Sequence, residues 1–317
     1  MNTVHISHVR TQSAGFTLIE LMISLVLGLL ISAAVMQVYI ISTRTATVQQ
    51  SASEVQDSAI FSLQTIEDHI RLANLGNPIS NIKDTTNHGG IVLTTANLGT
   101  SNTTDANYFT ASEDSAGWTG LSNITGVESD QLTIQYKNVT SSSLFDCEGA
   151  EIQKGSPDWV VERYFVRKAT GGADTDLVLA CAAGRVDEEG KILTAFTGNG
   201  EIIIPAVDQF KVLLGTLANV SNLSYLPAST YLDLTDKPSI TTVKLGMIVR
   251  SDTPLIEDPE SSLPAADKGK FTILGIEQVL KADSVNKARY RRSYESTIVL
   301  RSARVMSVTG LKSNVKS

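Results

Sequence analysis

Apolar positions follow three different patterns along the chain. From Phe16 to Ile41 they run almost without a break, with only Thr17, Glu20, Ser24, Ser32 and Gln37 as polar side chains. Twenty-six residues in helical form rise about 39 Å, enough to cross a hydrocarbon core of about 30 Å. From residue 42 the pattern thins to one stripe: Val48, Ala52, Val55, Ala59, Leu63, Ile66, Ile70 and Ala73 recur at spacings of three and four, the signature of an amphipathic helix. No Pro or Gly interrupts residues 29–75, and Gly76-Asn77-Pro78 supplies a stop. The two stretches together predict one helix over 16–75, about 90 Å long at 1.5 Å per residue.

Beyond Pro78 the period shortens. Runs rich in β-branched and aromatic residues predict strands at 91–93, 131–139, 159–166, 177–180, 202–214, 242–250, 270–274 and 290–305, separated by Gly, Asn, Asp and Ser. Crossover helices are scarce, with 276–282 the one short candidate, so the sheet is expected to be mostly antiparallel. Residues 77–125 and 251–270 read as loop-rich, and no repeat is present. The expected fold class is α+β: a very long N-terminal helix on a mostly antiparallel β-sheet domain. The expected segments are a leader at 1–15, a membrane-spanning half at 16–41, an amphipathic half at 42–76 and a β-rich globular domain at 77–317.

Composition sharpens this picture in three ways. Charged residues make up only 19% and apolar residues 42% of the 317, with a net charge of −7. From Lys281 onward there are nine Lys/Arg against two acids, leaving 17 bases and 31 acids before it. The tail, with Lys287, Arg289, Arg291, Arg292, Arg301 and Arg304, is therefore basic, either as a solvated sheet face or as a contact surface for an acidic partner or DNA. Nucleic-acid binding is not expected, because some of these bases should pair with acids of the same domain. Cys147 and Cys181 are the two cysteines. In an exported domain they favour a disulfide over a metal site, since no Cys-x-x-Cys or neighbouring His supports a metal; two buried free thiols are the alternative.

Catalytic chemistry is not visible. His5 and His8 fall in the leader, His69 on the long helix and His88 in a loop, none near a cysteine in sequence. There is no Gly-x-Ser-x-Gly, phosphate-binding glycine loop or zinc motif. Asp187-Glu188-Glu189 and Glu257-Asp258-Pro259-Glu260 lack the alternating ligands of a calcium loop. No enzyme activity, cofactor or metal is expected.

The start of the apolar run carries the decisive pattern. A signal peptide cut near Ser32-Ala33-Ala34 would need a far shorter apolar region, and neither it nor a plain anchor explains Glu20. Gly15-Phe16-Thr17-Leu18-Ile19-Glu20-Leu21 resembles the class III signal of type IV pilins and pseudopilins. That resemblance implies cleavage by a prepilin peptidase after Gly15, N-methylation of Phe16, and pairing of Glu20 with the free amine of a neighbouring subunit. The basic Arg10 before the apolar run favours a cytoplasmic N-terminus, so the globular domain would be periplasmic.

Further blocks resemble the PilW family of minor pilins. They are Asp146-Cys147-Glu148-Gly149, Glu162-Arg163-Tyr164-Phe165-Val166, Leu177-Val178-Leu179-Ala180-Cys181, the stretch from Ala206 to Gly215, the stretch from Lys244 to Ser251, and the stretch from Arg291 to Arg301. This resemblance implies a minor pilin that primes assembly of a type IV pilus and sits in its tip complex. Its implied partners are the other minor pilins, the major pilin, a pilus-tip adhesin-like protein and the inner-membrane platform protein. A minor pseudopilin of a type II secretion system and a DNA-binding competence pilin are the alternatives.

Overall fold

The computed structural model describes residues 15–99, 106–219, 222–255, 269–282 and 289–301. Residues 1–14 of the leader, Glu257-Asp258-Pro259-Glu260, Lys287 and Arg304 lie outside these residues. Helix α1 spans Leu18–Leu72, two residues inside the expected start and three inside the expected end. It stops because Asn74 takes a left-handed backbone, φ 67°, which its short polar side chain tolerates. The Asn74 amide donates to the Gln135 carbonyl (2.9 Å), its Nδ2 to the Ile79 carbonyl (2.9 Å), and its Oδ1 accepts from the Gly90 amide (3.0 Å). A Cβ on Gly90 would lie 2.4 Å from the Asn74 nitrogen, so only glycine permits this approach.

The chain divides into two compact units, 1–49 and 50–317. In the first, every residue from Gly15 to Ser42 is exposed. The apolar window of α1 has a mean hydropathy of 2.5, and by length and composition this helix can cross a membrane.

The second unit holds the remaining part of α1 and the sheets. The first sheet comprises β1 (Leu132–Tyr136), β4 (Trp159–Lys168), β5 (Leu177–Val186) and β6 (Ile192–Thr194) in that order, with β7 (Glu201–Ile204) also paired to β5. The second runs β13 (Arg289–Val299), β10 (Ser239–Pro254), β8 (Val207–Asn219), β9 (Asn222–Leu226). Two small hairpins complete it: β2 (Leu144–Phe145) with β3 (Glu151–Ile152), and β11 (Lys270–Ile273) with β12 (Ile276–Val279). Every strand pairing among the described residues is antiparallel. A short helix, α2, covers Ala228–Asp233.

Strand alternation builds the cores. On β4, Val160, Tyr164 and Val166 join Val55, Ala59, Ile66 and Ile70 of α1 in the main core, while Trp159, Val161 and Phe165 point the other way. That second face is covered by Val92, Leu98 and Phe196, with Tyr108, Phe109 and Trp118 packed alongside. Burial on both faces explains why β4 carries large apolar side chains on both sides of its alternation and why β5 reads as a nearly continuous apolar run.

Three sequence expectations are corrected. Residues 276–279 form a strand rather than a helix. Leu274 and Gly275 both take positive φ (52° and 82°), which closes a tight β-hairpin before a helix can start. The predicted strand over 202–214 breaks at Pro205-Ala206, since proline cannot donate to the ladder, and its halves join different sheets. Residues 91–93 make only an isolated bridge, Ile91 to Ile134.

Candidate functional site

The assembly residues expected from the sequence lie at the start of α1. Gly15 and Phe16 precede the helix, and Phe16 is 85% exposed. The Glu20 amide and the Thr17 hydroxyl approach each other at 3.4 Å, and that hydroxyl also lies 3.4 Å from Glu20 Oε2, a weak first-turn cap. Glu20 is the only charged side chain between Phe16 and Thr43. It stands among exposed Leu18, Ile19, Leu21, Met22 and Ile23. A carboxylate here is compatible with lipid only when a cation meets it. Nothing within 15–49 supplies such a cation near Glu20 in sequence; Arg44 is more than six helical turns away.

In the second unit the cysteines are joined as the Cys147–Cys181 disulfide. Cys147 sits in the β2–β3 turn. That turn is held by Asp146, whose Oδ1 accepts from the Glu148 and Ala150 amides (3.1 and 2.9 Å) and whose Oδ2 pairs with Arg185 (2.6 Å). Beside the disulfide lies Glu162, fully buried on the core-facing side of β4. Its Oε1 accepts from Tyr136 Oη (2.8 Å) and the Cys147 amide (3.1 Å), its Oε2 from Tyr164 Oη (2.8 Å), and His69 Nδ1 of α1 reaches both oxygens at 2.9 and 3.0 Å. A buried carboxylate is tolerable when its lone pairs are filled this way. Burial and the adjacent Glu162 charge push both tyrosine hydroxyls well above their usual pKa, so they remain donors. Burial opposes charge on His69, but the hydrogen bond and charge of Glu162 outweigh it and raise the imidazole above 6.5. With both sulfurs spent on each other, Cys147, Cys181 and Glu162 offer no thiolate pair for a metal.

A second buried acid, at the start of β8, faces the first residues of β13. Asp208 Oδ2 takes Arg291 Nε at 2.6 Å; Oδ1 takes Asn123 Nδ2 at 2.6 Å and lies 3.3 Å from Arg250 Nε. Arg289 Nη1 donates to the Ser251 carbonyl (3.1 Å) and to that of Asp252. Two of the tail bases are thus committed inside the domain, and Arg292 lies over the Tyr294 ring at 5.7 Å. Of the other sites weighed in the sequence, Glu188 pairs with Lys137 (2.7 Å) and Asp187 closes a turn by accepting from the Lys191 amide (2.7 Å). His88 stacks on Trp159 with ring centroids 4.6 Å apart, and burial lowers its pKa.

Sequence reasoning missed the Glu162 cluster. His69 and Glu162 are 93 positions apart, and only the packing of α1 on β4 joins them. The signal that was present is a lone carboxylate at an inward position between Val160 and Tyr164.

The family described as the prokaryotic N-terminal methylation motif matches residues 10–36, which include Gly15, Phe16 and Glu20. No curated protein matches the chain. Among solved structures, a type IV-like pilin from Thermus thermophilus aligns at 11% identity over 56% of this chain and 80% of its own, with a TM-score of 0.29, too slight a likeness to carry weight. The chain carries a prepilin-type methylation motif laid over the exposed, apolar half of α1, ahead of an antiparallel β domain, and this combination supports a type IV pilin-like protein.

Proposed function

We propose that this chain is a minor pilin of the PilW type that primes assembly of a type IV pilus and resides in its tip complex. The observation that carries the reading is the methylation motif over residues 10–36, placed on a helix whose apolar half is wholly exposed and bears one carboxylate, Glu20. A prepilin peptidase cuts after Gly15 and the new Phe16 amine is methylated. The segment 16–41 is first held in the inner membrane, with the N-terminus cytoplasmic and the globular domain periplasmic. A carboxylate at the centre of hydrocarbon costs about 2.5–3.5 kcal/mol, and the free Phe16 amine of a neighbouring subunit removes that cost. The neighbours in this reading are other minor pilins and the major pilin, with the platform protein below and an adhesin-like protein at the tip. The resemblance of the Glu162, Cys147 and Asp208 segments to the PilW family supports the minor-pilin assignment. Because Arg291 is buried on Asp208, the DNA-binding alternative loses a central base of its surface.

Glu20→Ala and Glu20→Gln test this directly. Both variants should fractionate with the membrane as the wild type does, and both should be depleted from sheared pili. Undiminished incorporation of either variant would refute the pairing role.

A further inference from the structure

Loop 113–128, the β4–β5 turn at 174–177 and Lys281 enclose a cleft of about 780 Å³ that the assembly reading does not use. Its size falls in the range of small-ligand sites, about 300–1,000 Å³. Trp118 lines it half-buried, with its indole Nε1 donating to the Ser129 carbonyl at 3.1 Å, so the ring is fixed in place. Leu121 and Val127 extend the apolar part of the wall. Between them stand acceptors: Glu113, Asp114, Glu128 and Asp174, with the Ser115, Thr119 and Thr175 hydroxyls.

Part of that negative charge is already engaged. Glu128 Oε2 accepts from the Gly120 amide (3.1 Å), Asp174 pairs with Lys168 (2.8 Å), and Glu113 lies 4.0 Å from Lys211. Lys281 also lines the cleft and donates to the Ser122 carbonyl at 2.6 Å. Asp114 and Glu128 have no cation paired with their carboxylates among the described residues. A polyanion would meet this rim unfavourably, and a polycation would compete with Lys168 and Lys211 for Asp174 and Glu113. The ligand that fits offers many hydroxyl or amide donors to fixed acceptors and a C–H face to an anchored indole.

We infer that this cleft binds an uncharged oligosaccharide, with one pyranose ring laid on Trp118 and hydroxyls held by Asp114, Glu128 and Glu113. The site is separate from the N-terminal segment and stands whether or not the pilin reading does.

The chain has two tryptophans, and Trp159 is buried, so the intrinsic fluorescence of Trp118 reports on the cleft. The full-length protein in detergent would be titrated with chitotriose, cellotriose and maltotriose, and in parallel with trilysine and a heparin trisaccharide. At least one neutral trisaccharide should give a saturable change in fluorescence, with neither charged probe matching it. Trp118→Ala, followed calorimetrically, should weaken that binding about tenfold or more. Because Trp118 also packs against the second core, Leu121→Arg and Asp114→Asn serve as exposed variants that keep the fold and the reporter; both should weaken it as well. No response to any of the three saccharides, a stronger response to trilysine, or full binding by Leu121→Arg would overturn the inference.

Discussion

Removing the Glu162 carboxylate should be among the most damaging single changes in the β domain. In Glu162→Ala, two tyrosine hydroxyls, the Cys147 amide and His69 lose their shared acceptor in a site with no solvent exposure of the carboxylate. Each buried donor left unmade costs about 1–3 kcal/mol, and breaking a buried ion pair from one side costs about 3–5 kcal/mol in total. Water entering the vacated space keeps the sum from reaching the additive limit, so about 3–5 kcal/mol is expected. For a unit of this size, about 2–4 °C per kcal/mol gives a fall in Tm on the order of 10 °C. Glu162→Gln keeps the shape and one acceptor oxygen and should cost about 1–2 kcal/mol. Thermal unfolding of the detergent-solubilised protein, followed by circular dichroism in the β region, measures both. A Tm within about 2 °C of wild type for Glu162→Ala would show that the cluster does not hold α1 to β4.

The same cluster predicts a pH dependence. A raised folded pKa on His69 means that its stabilising contribution is complete below 6.5 and is lost as pH rises through the higher folded value. The difference in Tm between wild type and His69→Gln should therefore be largest in mild acid and shrink above neutrality; a difference that grows with pH would reverse the assignment. The disulfide closes a loop of sequence separation 34, worth about 4 kcal/mol by chain entropy, and it also positions the Cys147 amide on Glu162. Cys147→Ser/Cys181→Ser should lower Tm accordingly, and two titratable thiols in the unfolded, oxidised wild type would contradict the bond.

Much of this architecture was legible in the residues. The helix could be read because its apolar run and its stripe are both long, and long periodic signals are least ambiguous. The antiparallel character followed from the lack of crossover segments. The failures have physical causes. At 276–279 a few residues admit either helix or strand, and two positive-φ positions at Leu274 and Gly275 decided it. At 202–214 one proline split a run that alternation alone would join. The residues proposed for processing could be singled out because they are contiguous, Gly15 to Leu21. The buried polar clusters were invisible because they join residues from distant elements: His69 with Glu162, Arg291 with Asp208. The expected pairing of tail bases with acids of the same domain is met by Arg291 on Asp208, but charge counting along the chain could not name which arginines are enclosed.

The central claim concerns what happens between Gly15 and Phe16. Protein purified from membranes and from sheared pili would be analysed by intact mass and by tandem mass spectrometry of its N-terminal peptide. The pilin reading predicts a mature chain beginning at Phe16 with one added methyl group on its amine. A chain beginning at Val35, as ordinary signal-peptide cleavage would leave it, or one retaining Met1 in the assembled pilus, would contradict the account.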